Sequence, residues 1–190
     1  PEVPLETTRA YVGKGVKNLV LRLLAGSLDA AGKGEPPAQA LDSFRQHYAR
    51  ENGRNARLYP GVVEGLQAFR AQGLPLGIVT NKADMFIAPL LEKTGLAPYF
   101  DLLVGGDTLP RIKPDPMPVV WACGRLGALP GETLFIGDSV NDALAARAAG
   151  CPVFLLPYGY NEDKDVRDID CDAIIGSVFE AVPAVLSRTA

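Results

Sequence analysis

From Tyr59 onward the chain alternates short, unbroken apolar runs with segments of helical periodicity, and this alternation narrows the fold more than any other feature. The apolar runs are Leu74 to Thr80, Leu102 to Val104, Thr133 to Ile136, Val153 to Leu156 and Ala173 to Ile175. Helical spacing falls on Val62 to Gln72, Met85 to Lys93, Met117 to Leu126, Asp142 to Ala149 and Val178 to Leu186. Strands that are apolar throughout, not at every second residue, are buried on both faces. Helices between them make the strands parallel. The chain is therefore expected to be α/β, with a doubly wound parallel sheet. Trp121, Phe135, Phe154 and Phe179 fall at expected core positions. Upstream of the Tyr59-Pro60-Gly61 boundary the rhythm is different. Gly15 to Leu24 and Ala38 to Tyr48 read as two helices, joined by a glycine- and proline-rich loop from Ala25 to Pro37. Residues 1–55 thus read as a helical unit and residues 56–190 as the α/β unit.

Composition removes several functions. Nineteen basic against twenty-two acidic residues give a net charge of -3, so no basic field invites nucleic acid or an anionic membrane. No apolar run approaches bilayer length. His47 is the single histidine, which removes two-histidine zinc sites and serine–histidine triads. Cys123, Cys151 and Cys171 are odd in number and widely spaced, as expected of small core residues in a reducing cytoplasm. A soluble, cytoplasmic monomer or homodimer is expected.

In a parallel α/β sheet ligands bind beyond the carboxyl ends of the strands. Three groups of polar residues occupy such places. Thr80-Asn81-Lys82 follows Ile78-Val79, and a threonine hydroxyl with the amides after it can hold a phosphate oxygen, although taken alone Thr80 is better read as a plain helix cap. Lys113-Pro114-Asp115-Pro116 opens a helix with a full positive charge on a stiffened turn; taken alone it reads as a surface lysine. Gly137-Asp138-Ser139-Val140-Asn141-Asp142 places Asp138 at a strand end, where an oxygen ligand suits magnesium, and Asp142 one helical turn further on. The plainer reading of Ser139 and Asp142 is a capping box. Hydroxyl, lysine and paired carboxylates in this order together describe a site for phosphate and Mg2+.

These motifs resemble the second, third and fourth motifs of the haloacid dehalogenase (HAD) superfamily: a strand-terminal Thr80, Lys113 before a helix, and the acidic pair Asp138 and Asp142 in G-D-x-x-x-D. Within it the chain is most similar to the phosphoglycolate phosphatases, through Tyr11-Val12-Gly13-Lys14-Gly15 and Tyr158-Gly159-Tyr160-Asn161. The resemblance implies a Rossmann-like core over residues 56–190 and, over residues 1–55, most of a helical cap that selects the substrate. It implies magnesium-dependent hydrolysis of a small phosphorylated metabolite, such as 2-phosphoglycolate, through a phospho-aspartate. Thr80, Asn81 and Lys113 would bind phosphate, Asp138 the metal, and Asp142 would support the metal through water or orient Lys113. For such a substrate, either Lys14 or the backbone of Gly13 and Gly15 is expected to approach the carboxylate; a glycine-rich helix entry with a solvated lysine is the equally good alternative for this segment. The family's first motif, D-x-D-G-T, which supplies the nucleophile, does not occur here. Its strand lies centrally in the family, between the strands ending at Thr80 and Gly137, so those two strands are expected to have unpartnered edges. With the proline start, this reads as a chain truncated ahead of its first strand, inactive alone. A phosphosugar phosphatase, a mutase and a non-catalytic scaffold are the competing readings.

Overall fold

The structure, a computed structural model, describes residues 3–161 and 165–187. Three helices come first: α1 (Leu5–Tyr11), α2 (Gly15–Ala25) and α3 (Ala38–Glu51). The helices α2 and α3 lie where the periodicity puts them. In contrast, α1 is too short for a periodic signal. It is tied to α2 by Arg22, which is 1% exposed and donates to the carbonyls of Tyr11 (2.9 Å) and Leu28 (3.1 Å).

The remaining elements alternate as expected. In order they are α4 (Val62–Ala71), β1 (Gly77–Val79), α5 (Ile87–Thr94), β2 (Leu102–Val104), α6 (Met117–Leu126), β3 (Phe135–Gly137), α7 (Val140–Ala149), β4 (Val153–Leu155), β5 (Ala173–Ile174) and α8 (Val182–Leu186). All strand pairs are parallel. Alternate side chains point to opposite faces, and helices cover both. On one face Val153 and Leu155, with Phe135 and Val79, pack on α6 and α7. On the other, Leu134, Ile136 and Phe154 pack with Phe69 of α4 and Val182 of α8.

The ladders form two sheets, β1-β2 and β3-β4-β5. Among the described residues β1 and β3 have a ladder partner on one side only, as the resemblance led us to expect. The Thr80 amide donates to Val104 and the Leu76 carbonyl accepts from Asp101, so even-numbered residues of β1 face β2. Backbone groups alternate in a parallel ladder, and the Val79 carbonyl therefore points toward the β3 side. Burial follows the same division. Ile78, Val79, Phe135 and Ile136 are half-buried, whereas Val153 and Leu155, inside the three-stranded sheet, are fully buried.

Two expectations need correction. The segment from Val178 to Leu186 is not one α-helix: Val178–Ala181 is a 3-10 turn, and the α-helix starts beside Pro183, which has no N–H to donate. Phe179 is 50% exposed and lies outside the core, because its neighbour Val178 takes the inward place against Gly65. No helix among the described residues is long and apolar enough to cross a membrane. Replacing fully buried Leu155 with alanine should lower unfolding stability by about 2–5 kcal/mol in urea titrations. The same change at Leu103, 37% exposed on β2, should cost less than half as much.

Candidate active site

The site is built around Lys113. This residue is 8% exposed, and its ammonium donates to the Val79 carbonyl (2.5 Å) and to Oδ1 of Asp142 (2.6 Å). It also lies 5.3 Å from the centre of the Phe135 ring, so one side chain reaches across from β1 to β3 and α7. The lysine backbone is held as firmly. Asn81 accepts the Lys113 amide on Oδ1 (3.0 Å) and donates from Nδ2 to the Lys113 carbonyl (2.9 Å). Thr80 stands between Val79 and Asn81, both bonded to Lys113, and its hydroxyl oxygen accepts the Lys82 amide (3.2 Å). The adjacent pair Thr80 and Asn81 thus meets Lys113, 32 residues further along the chain from Asn81.

Asp142 completes the connection to Asp138. Its Oδ2 accepts the amides of Asp138 (3.2 Å) and Ser139 (3.0 Å) and the Ser139 hydroxyl (2.7 Å). Burial pushes its acidity down, but the charge and hydrogen bonds of Lys113, helped by Ser139, outweigh this, and its pKa lies below the ordinary value. Asp138 has the opposite balance. Desolvation, reinforced by the charge of Asp142, pushes its pKa up to about 7, against smaller opposing contributions from Lys113 and the Tyr160 amide. Two carboxylates one turn apart are thus shifted in opposite directions.

Close backbone approach explains two glycines. A Cβ at Gly137 would lie 2.3 Å from Cβ of Asp142, and one at Gly159 would lie 2.3 Å from Oδ2 of Asp138. The first is the glycine of the G-D motif; the second brings the Tyr158-Gly159-Tyr160-Asn161 segment against the site, where the Asn161 side chain accepts the Val140 amide (3.0 Å).

The predicted substrate loop reaches the same place. The Gly13 carbonyl accepts from Nδ2 of Asn81 (3.0 Å), and Gly15 packs against the Asn81 carbonyl and Ile112. Lys14 precedes α2 and lines the adjoining cleft. Sequence reasoning assigned Asn81 only a backbone role and missed its carboxamide, the hub joining Gly13, Asn81 and Lys113. It also missed the Val79 carbonyl. No signal in the chain marks either, because their partners lie 32 to 68 residues away.

Among the described residues no group of three or more His, Cys, Asp or Glu side chains could hold a metal ion. Magnesium needs fewer, since it keeps several waters and takes one or two carboxylates beside phosphate oxygens. Asp138, a half-buried carboxylate lacking a full counter-charge, fits as one such ligand. Asp142 is already engaged on both oxygens.

A parallel α/β core with these motifs and a helical segment over the strand ends defines a class, and residues 2–156 match the family of haloacid dehalogenase-like hydrolases, to which the chain belongs. The chain is 51% identical over 177 residues to a phosphoglycolate phosphatase of Thiobacillus denitrificans, covering 93% of this chain and 78% of the relative. It is 49% identical over 184 residues to that of Nitrosospira multiformis, covering 97% and 81%. The crystal structure of a predicted phosphoglycolate phosphatase from Haemophilus somnus 129pt superposes with a TM-score of 0.85 at 32% identity, covering 100% of this chain and 84% of that one. CbbY from Rhodobacter sphaeroides, solved with phosphate, shares the fold at 20% identity (TM-score 0.74; 93% and 79% covered).

The Asp138 environment makes a stability prediction. Between pH 3.8 and about 7 the unfolded chain releases a proton that the folded protein retains, so this group's contribution to stability falls as pH rises through that window. Asp138→Asn should therefore stabilise the fold by roughly 1–3 kcal/mol at pH 8 in chemical denaturation, with the gain disappearing near pH 4.

Proposed function

We propose that this chain is the larger part of a magnesium-dependent phosphomonoester hydrolase whose substrate is 2-phosphoglycolate. The observation that carries this reading is the buried Lys113 ammonium, fixed by Val79 and Asp142 next to Thr80 and Asn81. The relatives named phosphoglycolate phosphatase support it.

An ammonium has three donors. Two of Lys113's are committed to Val79 and Asp142, which aims the third at a phosphoryl oxygen. The Thr80 hydroxyl accepts from Lys82 through oxygen and keeps its hydrogen for a second phosphoryl oxygen. Asn81 adds its backbone N–H. These charged and polar donors, held before the substrate arrives, favour the transition state, where charge on the transferred group shifts. Asp142 is a positioning residue that holds the Lys113 ammonium in place. The metal's ligand from this chain is Asp138, and when bound the ion supplies positive charge beside the phosphoryl oxygens. The nucleophilic carboxylate is assigned to a residue outside these 190, on a strand seated between β1 and β3, so the 190 residues alone should show no turnover.

The test is the full-length protein against a panel of phosphomonoesters, with magnesium and with a chelator. Hydrolysis of 2-phosphoglycolate that stops on chelation is expected, and activity indifferent to the metal would sink the mechanism. Lys113→Met should lower kcat by about 10²–10³-fold, the usual loss for a preorganised donor. Lys14→Met should raise KM for 2-phosphoglycolate more than for a neutral phosphomonoester; equal effects on both would remove Lys14 from the substrate's carboxylate.

A further inference from the structure

Beside the phosphate-holding residues a cleft of about 760 Å³ opens between the start of α2 and the loops that follow β1 and β2. Its volume lies within the range of about 300–1,000 Å³ usual for small-molecule sites. Six charged side chains line it: Lys14, Lys17 and Arg45 from the helical cap, and Asp107, Arg111 and Asp115 from the core. Four cations thus face two carboxylates, in a chain whose net charge is -3.

The two acids are already occupied. Oδ2 of Asp107 accepts the Asp84 amide (3.3 Å), and Oδ1 of Asp115 accepts the Met117 amide (2.9 Å). Two cations also have carboxylate neighbours: Lys17 lies 2.8 Å from Glu35 and Arg45 3.7 Å from Asp42. Arg111 makes no hydrogen bond or ion pair with any described residue. It stands two positions before Lys113, across the cleft from Lys14. Asn81, Ile112 and Pro114 line this cleft, and Asn81 also clamps Lys113, so cleft and phosphate anchors share a wall.

We propose that Arg111 is the core-side half of a second-anion subsite, which takes a carboxylate or a second phosphate at the end of the substrate remote from the scissile phosphoryl group. The inference rests on the phosphatase reading and adds to it a specificity-determining residue for phosphomonoesters with two separated anionic groups. A phosphoryl group at Lys113 leaves the rest of the molecule to extend past Asn81 into the cleft. A guanidinium there offers a planar pair of donors that matches either anion. The cations opposite raise the local concentration of such ligands.

The experiment compares full-length wild type and Arg111→Met on 2-phosphoglycolate, a ketose bisphosphate and p-nitrophenyl phosphate. The readout is kcat/KM for each doubly anionic substrate divided by that for the nitrophenyl ester. A fall of tenfold or more in either ratio supports the subsite, and the arm that falls tells which anion it serves. Unchanged ratios in both arms overturn it while leaving the phosphatase reading intact. Should the wild type hydrolyse no phosphomonoester, that reading fails and direct titration decides the subsite. A tenfold loss of 2-phosphoglycolate affinity relative to inorganic phosphate in Arg111→Met upholds it, and an unchanged relative affinity rejects it.

Discussion

The buried ion pair between Lys113 and Asp142 is the contact on which the rest of the site depends. Their side chains are 9% and 6% exposed and 2.6 Å apart. Removing one partner from such a pair leaves an uncompensated charge in a poorly solvated place, at a cost of about 3–5 kcal/mol. Here the pair also has a geometric role. The lysine takes the Val79 carbonyl of β1 while its partner sits on α7, just after β3. Two sheets without a common ladder are thereby joined at their carboxyl ends by charge, at the place where a ligand of this fold class binds.

The pair also sets the division of labour between the two acids of the fourth motif. Asp142 receives four hydrogens on its two oxygens, from the Lys113 ammonium, the amides of Asp138 and Ser139, and the Ser139 hydroxyl. It has no capacity to spare for a cation. Asp138 has the Tyr160 amide, the pressure of Gly159 and a like charge beside it. Neighbours of the same chemical type are thus separated into a structural acid and an acid whose charge is under-compensated, by environment alone.

Much of the fold was readable because parallel strands covered on both faces are apolar at every residue, and the runs ending at Thr80, Val104 and Ile136 show this directly. The rule that ligands gather at strand carboxyl ends then singled out Thr80, Lys113 and Asp138 without coordinates. What escaped has physical reasons. A seven-residue helix such as α1 completes too few turns to show a period. Phe179 lies within a 3-10 turn, whose tighter winding shifts which residue faces inward. The Asn81 carboxamide bonds to segments remote in sequence, and nothing local distinguishes such an asparagine from one in a turn. Arg111 resembles any surface arginine until the loop that carries it is seen beside Lys14.

The three side-chain bonds of Asn81 are unequal in what they join. Two end on Lys113 and stay within the core, while one ends on Gly13 in the cap. That single bond, worth about 1 kcal/mol, ties the helical segment to the core together with the contacts of Tyr48 with Lys82 and with the Phe86 ring. Near the join, Asn52 donates to the Phe86 carbonyl and its own carbonyl accepts from Lys93, a further tie between the two parts. One carboxamide therefore serves two separate attachments, and loss of the bond to Gly13 would leave both bonds to Lys113 in place, as a frame keeps its shape when a door is taken off.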